Sequence, residues 1–361
     1  MKRVALYDLD SRIPNLALMK MGAWHKRQGH RVELVRGAHP VQADVRLASV
    51  VFYRGNSRRK MAALRALYGN GIRFGGSGCN LRAKLPDEVE GQFPDYSLYD
   101  HTAYAIGFLT RGCNGACPFC LVPRKEGRLR SCPGGFDAFV PPGQNKVLLL
   151  DNNLLAHPQS CKFLREIARR RYAVNFSQSL DIRLLDQERF DLLRQVDSRN
   201  ARFTRRQFYF SCSSAADAAC LEDKRSFLKA FGEDSVTVLT LYGYNTRLSE
   251  DYRRMIVLRR LRLIPFFLEY WPLRDMPARM PSDFFDMDMN LVIRLTFRSN
   301  GLNWEKYLRW LNRLYFRTFG RYYRPLIEVI YRYNNRERIR RYLRHPHLLT
   351  TVLYRKSVVN E

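Results

Sequence analysis

Nowhere in the 361 residues does an apolar run approach the roughly eighteen residues a membrane-spanning helix needs, so the sequence excludes a transmembrane helix. Acid is scarce as well: 34 Asp and Glu stand against 62 Lys and Arg, a formal charge of +28. That balance excludes a polyanion-repelling surface and favours polyanionic partners, nucleic acid first, although solubility accounts for part of it. No apolar signal-peptide core follows the start, because Met1-Lys-Arg-Val-Ala-Leu-Tyr-Asp8 runs straight into a strand, and the expected compartment is the cytosol. Cysteine is thin outside one stretch. Cys79, Cys161, Cys212 and Cys220 stand singly and are expected to be small core residues rather than disulfide partners.

What the sequence does have is Gly107-Phe-Leu-Thr-Arg-Gly-Cys113-Asn-Gly-Ala-Cys117-Pro-Phe-Cys120-Leu-Val-Pro-Arg-Lys-Glu-Gly127. Cys113, Cys117 and Cys120 stand at C-x3-C-x2-C directly after an apolar run, 104–110, that reads as a strand. Gly112, Gly115 and Pro118 suit a tight loop able to turn three thiolates toward one point. Thiolates are soft ligands for iron–sulfur clusters or zinc. Three of them leave one iron of a 4Fe-4S cluster without a protein ligand. The alternative is a zinc site completed by Cys132, twelve residues past Cys120, although structural zinc usually comes as paired C-x2-C knuckles.

Residues 1–84 read as a small Rossmann-like α/β domain with strands at 4–7, 31–35, 47–52 and 71–74 and helices at 15–28 and 61–68. Asp8 and Asp10, at the end of the first strand, are expected to cap the following helix. Gly75-Gly-Ser-Gly78 reads as a glycine turn that could also admit a phosphate. Residues 85–103 form a Pro- and acid-containing linker with no period. Strands then recur at 104–110, 147–151, 173–178, 207–211, 236–242 and 264–270, with helices at 159–171, 187–195, 215–231 and 250–261. Residues 298–361 are dense in Arg interleaved with Tyr307, Trp310, Tyr315, Phe316, Tyr322, Tyr323, Tyr331 and Tyr333. They suit either a helical cap with Leu308, Leu311 and Tyr315 on its core face, or a grip on nucleic acid.

The three-cysteine spacing, with the aromatic Phe119 before the last cysteine, resembles the radical SAM superfamily. The resemblance implies a 4Fe-4S cluster on Cys113, Cys117 and Cys120. Its open iron would chelate S-adenosylmethionine, and one electron from a flavodoxin- or ferredoxin-type donor would cleave that molecule to a 5′-deoxyadenosyl radical. It also implies that the six strands at 104–270, within a domain at 104–297, form a partial (β/α)6 TIM-like barrel whose site lies at the strands' C-terminal ends. On those ends, Asp151 and Asn152 (or Asn153) would take the methionine amine. Gln178 and Ser179 would meet the ribose, and Arg183 the carboxylate, with Asp181 as an alternative partner that simply fixes Arg183. Tyr242 and Phe119 would border the adenine.

Within that superfamily the chain is similar, from about residue 4 to 300, to one group. Pro14-Asn-Leu-Ala-Leu-Met-Lys20, Leu149-Leu-Asp-Asn-Asn-Leu-Leu155 and Ser177-Gln-Ser-Leu-Asp-Ile-Arg-Leu-Leu185 carry that likeness. The first domain looks like the cobalamin-binding type but lacks its Asp-x-His-x-x-Gly, which His25, His30 and His39 do not replace; cobalamin stays open as a further cofactor. The cysteine motif also looks like that of methylthiotransferases acting on tRNA or protein. Those carry three further cluster cysteines in the first domain, where this chain has only Cys79.

Overall fold

Val4, Ala5, Leu6 and Tyr7 are all buried in β1 (Arg3–Asp8), the uninterrupted apolar run of a parallel strand covered on both faces. The computed structural model describes residues 1–52, 55–99, 103–232, 234–270, 282–289, 291–292 and 305–320. Helix α1 (Leu16–Arg27) starts at Asn15, whose side chain accepts from the Leu18 amide at 3.2 Å, and stops before Gly29 at φ 73°. β2 (Arg31–Arg36), β3 (Val45–Ser49), α2 (Gly55–Tyr68) and β4 (Arg73–Gly75) follow. The strands form one parallel sheet in the order β2-β1-β3-β4. Leu18 and Met19 of α1 pack with Val4 and Leu6 on one face. Leu64 of α2 packs with Ala5 and Tyr7 on the other.

Two expectations for this region change, and one, the glycine turn, holds. The first-strand carboxylates do not cap α1: Asp8 accepts from the Ser11 amide and the Tyr99 hydroxyl, while Asp10 accepts from the Val51 and Phe52 amides and Ser57. The glycine run is a close backbone approach rather than an open cradle for phosphate. A Cβ on Gly76, at φ +97°, would stand 2.3 Å from the Val50 carbonyl oxygen. The stretch after residue 85 holds a short helix, α3 (Asp87–Glu90), and it packs: the Tyr96 hydroxyl accepts from the Ile106 amide and donates to the Phe139 carbonyl.

β5 (Ala105–Gly107) leads through β6 (Thr110–Arg111), α4 (Val122–Lys125) and β7 (Arg130–Ser131) to β8 (Lys146–Leu149), α5 (Ser160–Arg169), β9 (Ala173–Phe176), α6 (Gln187–Gln195) and β10 (Asp197–Ser198). β5, β8, β9 and β10 form a second parallel sheet in the order β10-β9-β8-β5. Lys146–Leu149 and Ala173–Phe176 are apolar enough to be read from sequence. β10 is not, because two residues carry no period. Ile106 and Leu148 share a core with Leu18, Met19, Leu98 and Tyr99, so residues 1–178 and 187–206 pack as one unit.

The second unit, residues 179–186 and 207–361, contains β11 (Phe208–Cys212), α7 (Ala215–Asp223), α8 (Arg225–Ala230), β12 (Val236–Tyr242), α9 (Leu248–Arg260), β13 (Ile264–Glu269) and α10 (Glu305–Phe319). Its three strands are parallel in the order β11-β12-β13. The helix expected over 215–231 breaks at Lys224. Ser214 caps α7 in a reciprocal box with Asp217. The six expected strands therefore fall into two parallel sheets. Phe176 ends a strand paired with β8 and β10, and Leu180 bridges to Phe210.

On α10, Leu308 and Leu311 are buried as expected, but so are Tyr307 and Trp310. Those two rings are core and cannot stack on bases. Tyr315 packs half-buried against them and Phe316 is exposed. Trp304, Tyr322, Tyr323, Tyr331 and Tyr333 lie outside the described residues. Of the single cysteines, Cys212 is buried, whereas Cys79, Cys161 and Cys220 are half-exposed. Among the described residues no helix is long and apolar enough to cross a membrane.

Candidate functional site

The cysteine stretch leaves the C-terminal end of β5 and is closed at its base. β6 and β7 pair antiparallel, Thr110 with Ser131 and Arg111 with Arg130. Between them the Cys113 amide reaches the Gly127 carbonyl at 3.2 Å, the Cys120 amide closes a turn onto the Cys117 carbonyl at 3.0 Å, and the Leu129 amide reaches Asn114 Oδ1 at 3.1 Å. Gly112 is required here: it sits at φ +85°, and a Cβ would stand 2.3 Å from the Arg128 carbonyl oxygen. Gly107 is required by contact instead. A Cβ on it would fall 2.2 Å from the ring of the buried Phe139.

Two of the loop's sulfurs flank Gly115. A Cβ on Gly115 would stand 3.2 Å from Cys113 Sγ and 3.9 Å from Cys117 Sγ, so a glycine there leaves the space between two thiols open. Burial raises the Cys120 thiol, and Cys117 and Cys113 push it the same way. The Gly115 amide donates to Cys113 Sγ at 3.2 Å and the Val122 amide to Cys120 Sγ at 3.4 Å. Amides aimed at sulfur are the donors that tune iron–sulfur thiolates. Among the described residues no three His, Cys, Asp or Glu side chains stand close enough to hold one metal ion. The soft donor set fits an iron–sulfur cluster by its chemistry.

Cys132 belongs to a different environment. Its amide bonds the Leu109 carbonyl at 2.8 Å, and its thiol is pushed up to about 11 by burial and by Asp151, with Arg111, Lys20 and Arg130 opposing. Among the described residues the four-cysteine zinc arrangement is not assembled either.

The C-terminal end of β8 supports the loop. Asp151 is buried; its carboxylate accepts from the Leu109 amide at 3.1 Å, the Thr110 amide at 2.6 Å and the Thr110 hydroxyl at 2.7 Å. Burial outweighs those bonds and pushes its pKa up to about 6. Both of its oxygens are thus used to fix the start of β6. Asn152 Oδ1 accepts from the Gly112 amide at 3.2 Å, and Asn153 Nδ2 stands 3.9 Å from Cys113 Sγ. Phe119 is half-buried within the loop, and Gln178 is exposed just beyond β9.

In the second unit, Arg183 is held by Asp181, with bonds of 2.8 and 2.7 Å to its guanidinium and Asp217 at 3.8 Å. That is the fixing role named as the alternative for Asp181. Ser179 is half-buried next to Leu180. Tyr242 turns its ring into the core, edge-on to Trp310 at 5.0 Å and Tyr307 at 5.3 Å, and burial raises its hydroxyl far above the ordinary range. Only its backbone stands at the strand end, where its carbonyl accepts from the Tyr270 amide.

Two groups escaped the sequence reading. Thr110 reads as one more strand residue, although a hydroxyl beside a buried aspartate was a usable signal. Arg254 is 2 % exposed and bonds the Cys212 and Leu241 carbonyls at 3.1 and 2.9 Å and Asp251 at 2.5 Å. The Asp251–Arg254 spacing of i,i+3 was its signal.

No family model matches the chain, and no curated protein matches it. Among solved structures it is similar to SuiB of Streptococcus suis bound to S-adenosylmethionine, at 9% identity over 53% of this chain and 45% of that one, with a TM-score of 0.33. A second structure of SuiB gives 9% identity over 53% of this chain and 44% of that one, with a TM-score of 0.33. SuiB bound to its precursor peptide SuiA gives 12%, 66%, 56% and 0.34. The similarity spans about half the length of those chains.

Proposed function

We propose that this chain is a radical S-adenosylmethionine enzyme whose Cys113, Cys117 and Cys120 hold a 4Fe-4S cluster. One observation carries the reading. A closed loop at the C-terminal edge of a parallel sheet carries three thiols at C-x3-C-x2-C, with amide donors on two of them. When bound, such a cluster supplies the electron that cleaves S-adenosylmethionine, so that hydrogen can be taken from an unactivated carbon.

The chain's own residues prepare that site. Asp151 pins the backbone at Leu109 and Thr110, so the loop leaves β5 in one direction. Asn152 holds the Gly112 amide, and the closed β6–β7 base keeps the loop from opening. Asp151 and Asn152 already accept backbone amides here, so the resemblance alone assigns the methionine amine to this strand end, at Asp151, Asn152 or Asn153. Phe119 offers an apolar face to a ring. The resemblance, rather than geometry, assigns Gln178 and Ser179 to the ribose and Arg183 to the carboxylate. A flavodoxin- or ferredoxin-type protein would supply the electron.

Cobalamin is not part of this proposal. The β1–α1 loop, residues 9–15, contains no histidine, and His25 stacks on His30 at the far end of α1.

Anaerobic treatment of the chain with iron and sulfide tests the reading. A broad absorption near ~400 nm is expected, lost in Cys113→Ala and retained in Cys132→Ala. With S-adenosylmethionine and dithionite, 5′-deoxyadenosine should then accumulate. A colourless protein that holds one zinc and loses it in Cys132→Ala would overturn the assignment.

A further inference from the structure

A parallel sheet normally buries both faces. In the first sheet, α1 packs against β1 and β2, and register sets Leu47 of β3 beside Arg73 of β4 on that same side. Instead of a helix, this β3–β4 half carries a cavity of about 790 Å³, a size suited to a small molecule. Met21 and Trp24 of α1, Val45 and Leu47 of β3, and Leu85 and Pro86 of the following segment give it apolar walls.

Its rim is charged, and unevenly. Six cations and four acids line it. Glu90 and Glu126 are already engaged, Glu90 with Lys20 at 2.6 Å and Arg111 at 2.9 Å, and Glu126 with Arg111 at 3.0 Å. The rim therefore carries two more cations than acids, and Arg73, Lys84 and Arg130 among them are exposed. The half-buried Lys125 donates to the Ala83 carbonyl, which ties α4 of the cysteine loop to the rim.

We propose that this cavity binds a small amphiphilic anion, its apolar body against Trp24, Val45 and Leu47 and its acid group toward Arg73, Lys84 and Arg130. The walls supply burial of apolar surface. The excess cations select the sign of the head group, and a charged rim left unmatched would discriminate against a cationic analogue. The proposal stands independently of the cluster, since none of these residues ligates it. Because Lys125, Glu126 and Arg130 belong to or flank the loop, an occupant would touch the back of the cysteine site.

Fluorescence titration of the full chain with 8-anilinonaphthalene-1-sulfonate, an apolar body with one sulfonate, tests it. One saturable site is expected, competed at least about tenfold better by decanoate than by decylamine of the same chain length. Ala17→Phe, which places a ring in the cavity, should weaken the probe at least about tenfold. The exposed double change Arg73→Glu with Lys84→Glu should do so as well, with an unaltered circular dichroism melt. Absence of a saturable site, equal competition by the amine, or probe affinity unmoved by the rim change would overturn the proposal.

Discussion

Asn153 Nδ2 stands 3.9 Å from Cys113 Sγ, a donor aimed at a sulfur from the end of a neighbouring strand. A donor near a thiolate favours the more negative, reduced form of a cluster.

Asn153→Leu is therefore expected to shift the midpoint potential of the reconstituted protein to more negative values. The shift should be no more than ~40 mV, the one-electron equivalent of a ~1 kcal/mol hydrogen bond. Spectroelectrochemistry reads it directly. An unchanged potential with an intact ~400 nm band would leave Asn153 without influence on the sulfur.

Asp151 predicts a pH dependence. Its pKa is raised by burial from 3.8 to about 6, so the fold favours the protonated carboxyl. The stability it contributes is fully present below about 3.8 and is lost as pH rises through about 6. Asp151→Asn cannot lose it. Urea unfolding at pH 4 and pH 7 should show the variant gaining on the wild type by on the order of 3 kcal/mol across that interval. Parallel pH profiles for the two proteins would mean that the carboxylate is no less comfortable folded than unfolded.

Much of this was open to reading in the chain, and the failures have particular causes. Val4–Tyr7 and Leu148–Leu149 announce buried parallel strands because an apolar run with no polar face has nowhere else to go. Cys113, Cys117 and Cys120 announce a loop because their spacing is local. Asp151 was assigned to a ligand because a carboxylate at a strand end reads the same whether it faces a pocket or two backbone amides; only its burial tells them apart. Trp310 fits the helical-cap reading rather than the nucleic-acid one, and the sequence could not choose, since aromatic residues among arginines suit a base-stacking surface and a core equally. β10, at two residues, is shorter than any hydrophobic period.

Gly107 and Phe139 make a paired prediction. Gly107→Ala sets a methyl 2.2 Å from the Phe139 ring, which should cost about 1–3 kcal/mol by overpacking. Phe139→Ala alone opens a cavity and costs about 3–5 kcal/mol. The double variant should be no less stable than Phe139→Ala, because the clash has gone; thermal melts of the four proteins complete the cycle. Additive losses would place the strain of Gly107→Ala in the backbone rather than at the ring.

Arg254 makes the sharpest prediction for the second unit, because it is charged, buried and bonded to two strand ends. The guanidinium joins the Cys212 carbonyl at the end of β11 to the Leu241 carbonyl in β12, while Asp251 balances its charge. Asp251 is itself raised by burial, with Arg254 opposing, so removing the cation leaves a buried carboxylate alone. Arg254→Met should therefore destabilise by about 3–5 kcal/mol. Adding Asp251→Asn removes the orphaned charge and should return part of that loss, with the Cys212 and Leu241 carbonyls still lacking their arginine donor. Should the double variant be no more stable than Arg254→Met, the loss comes from the carbonyls, and the arginine acts as a clamp on the strand ends more than as a counter-ion.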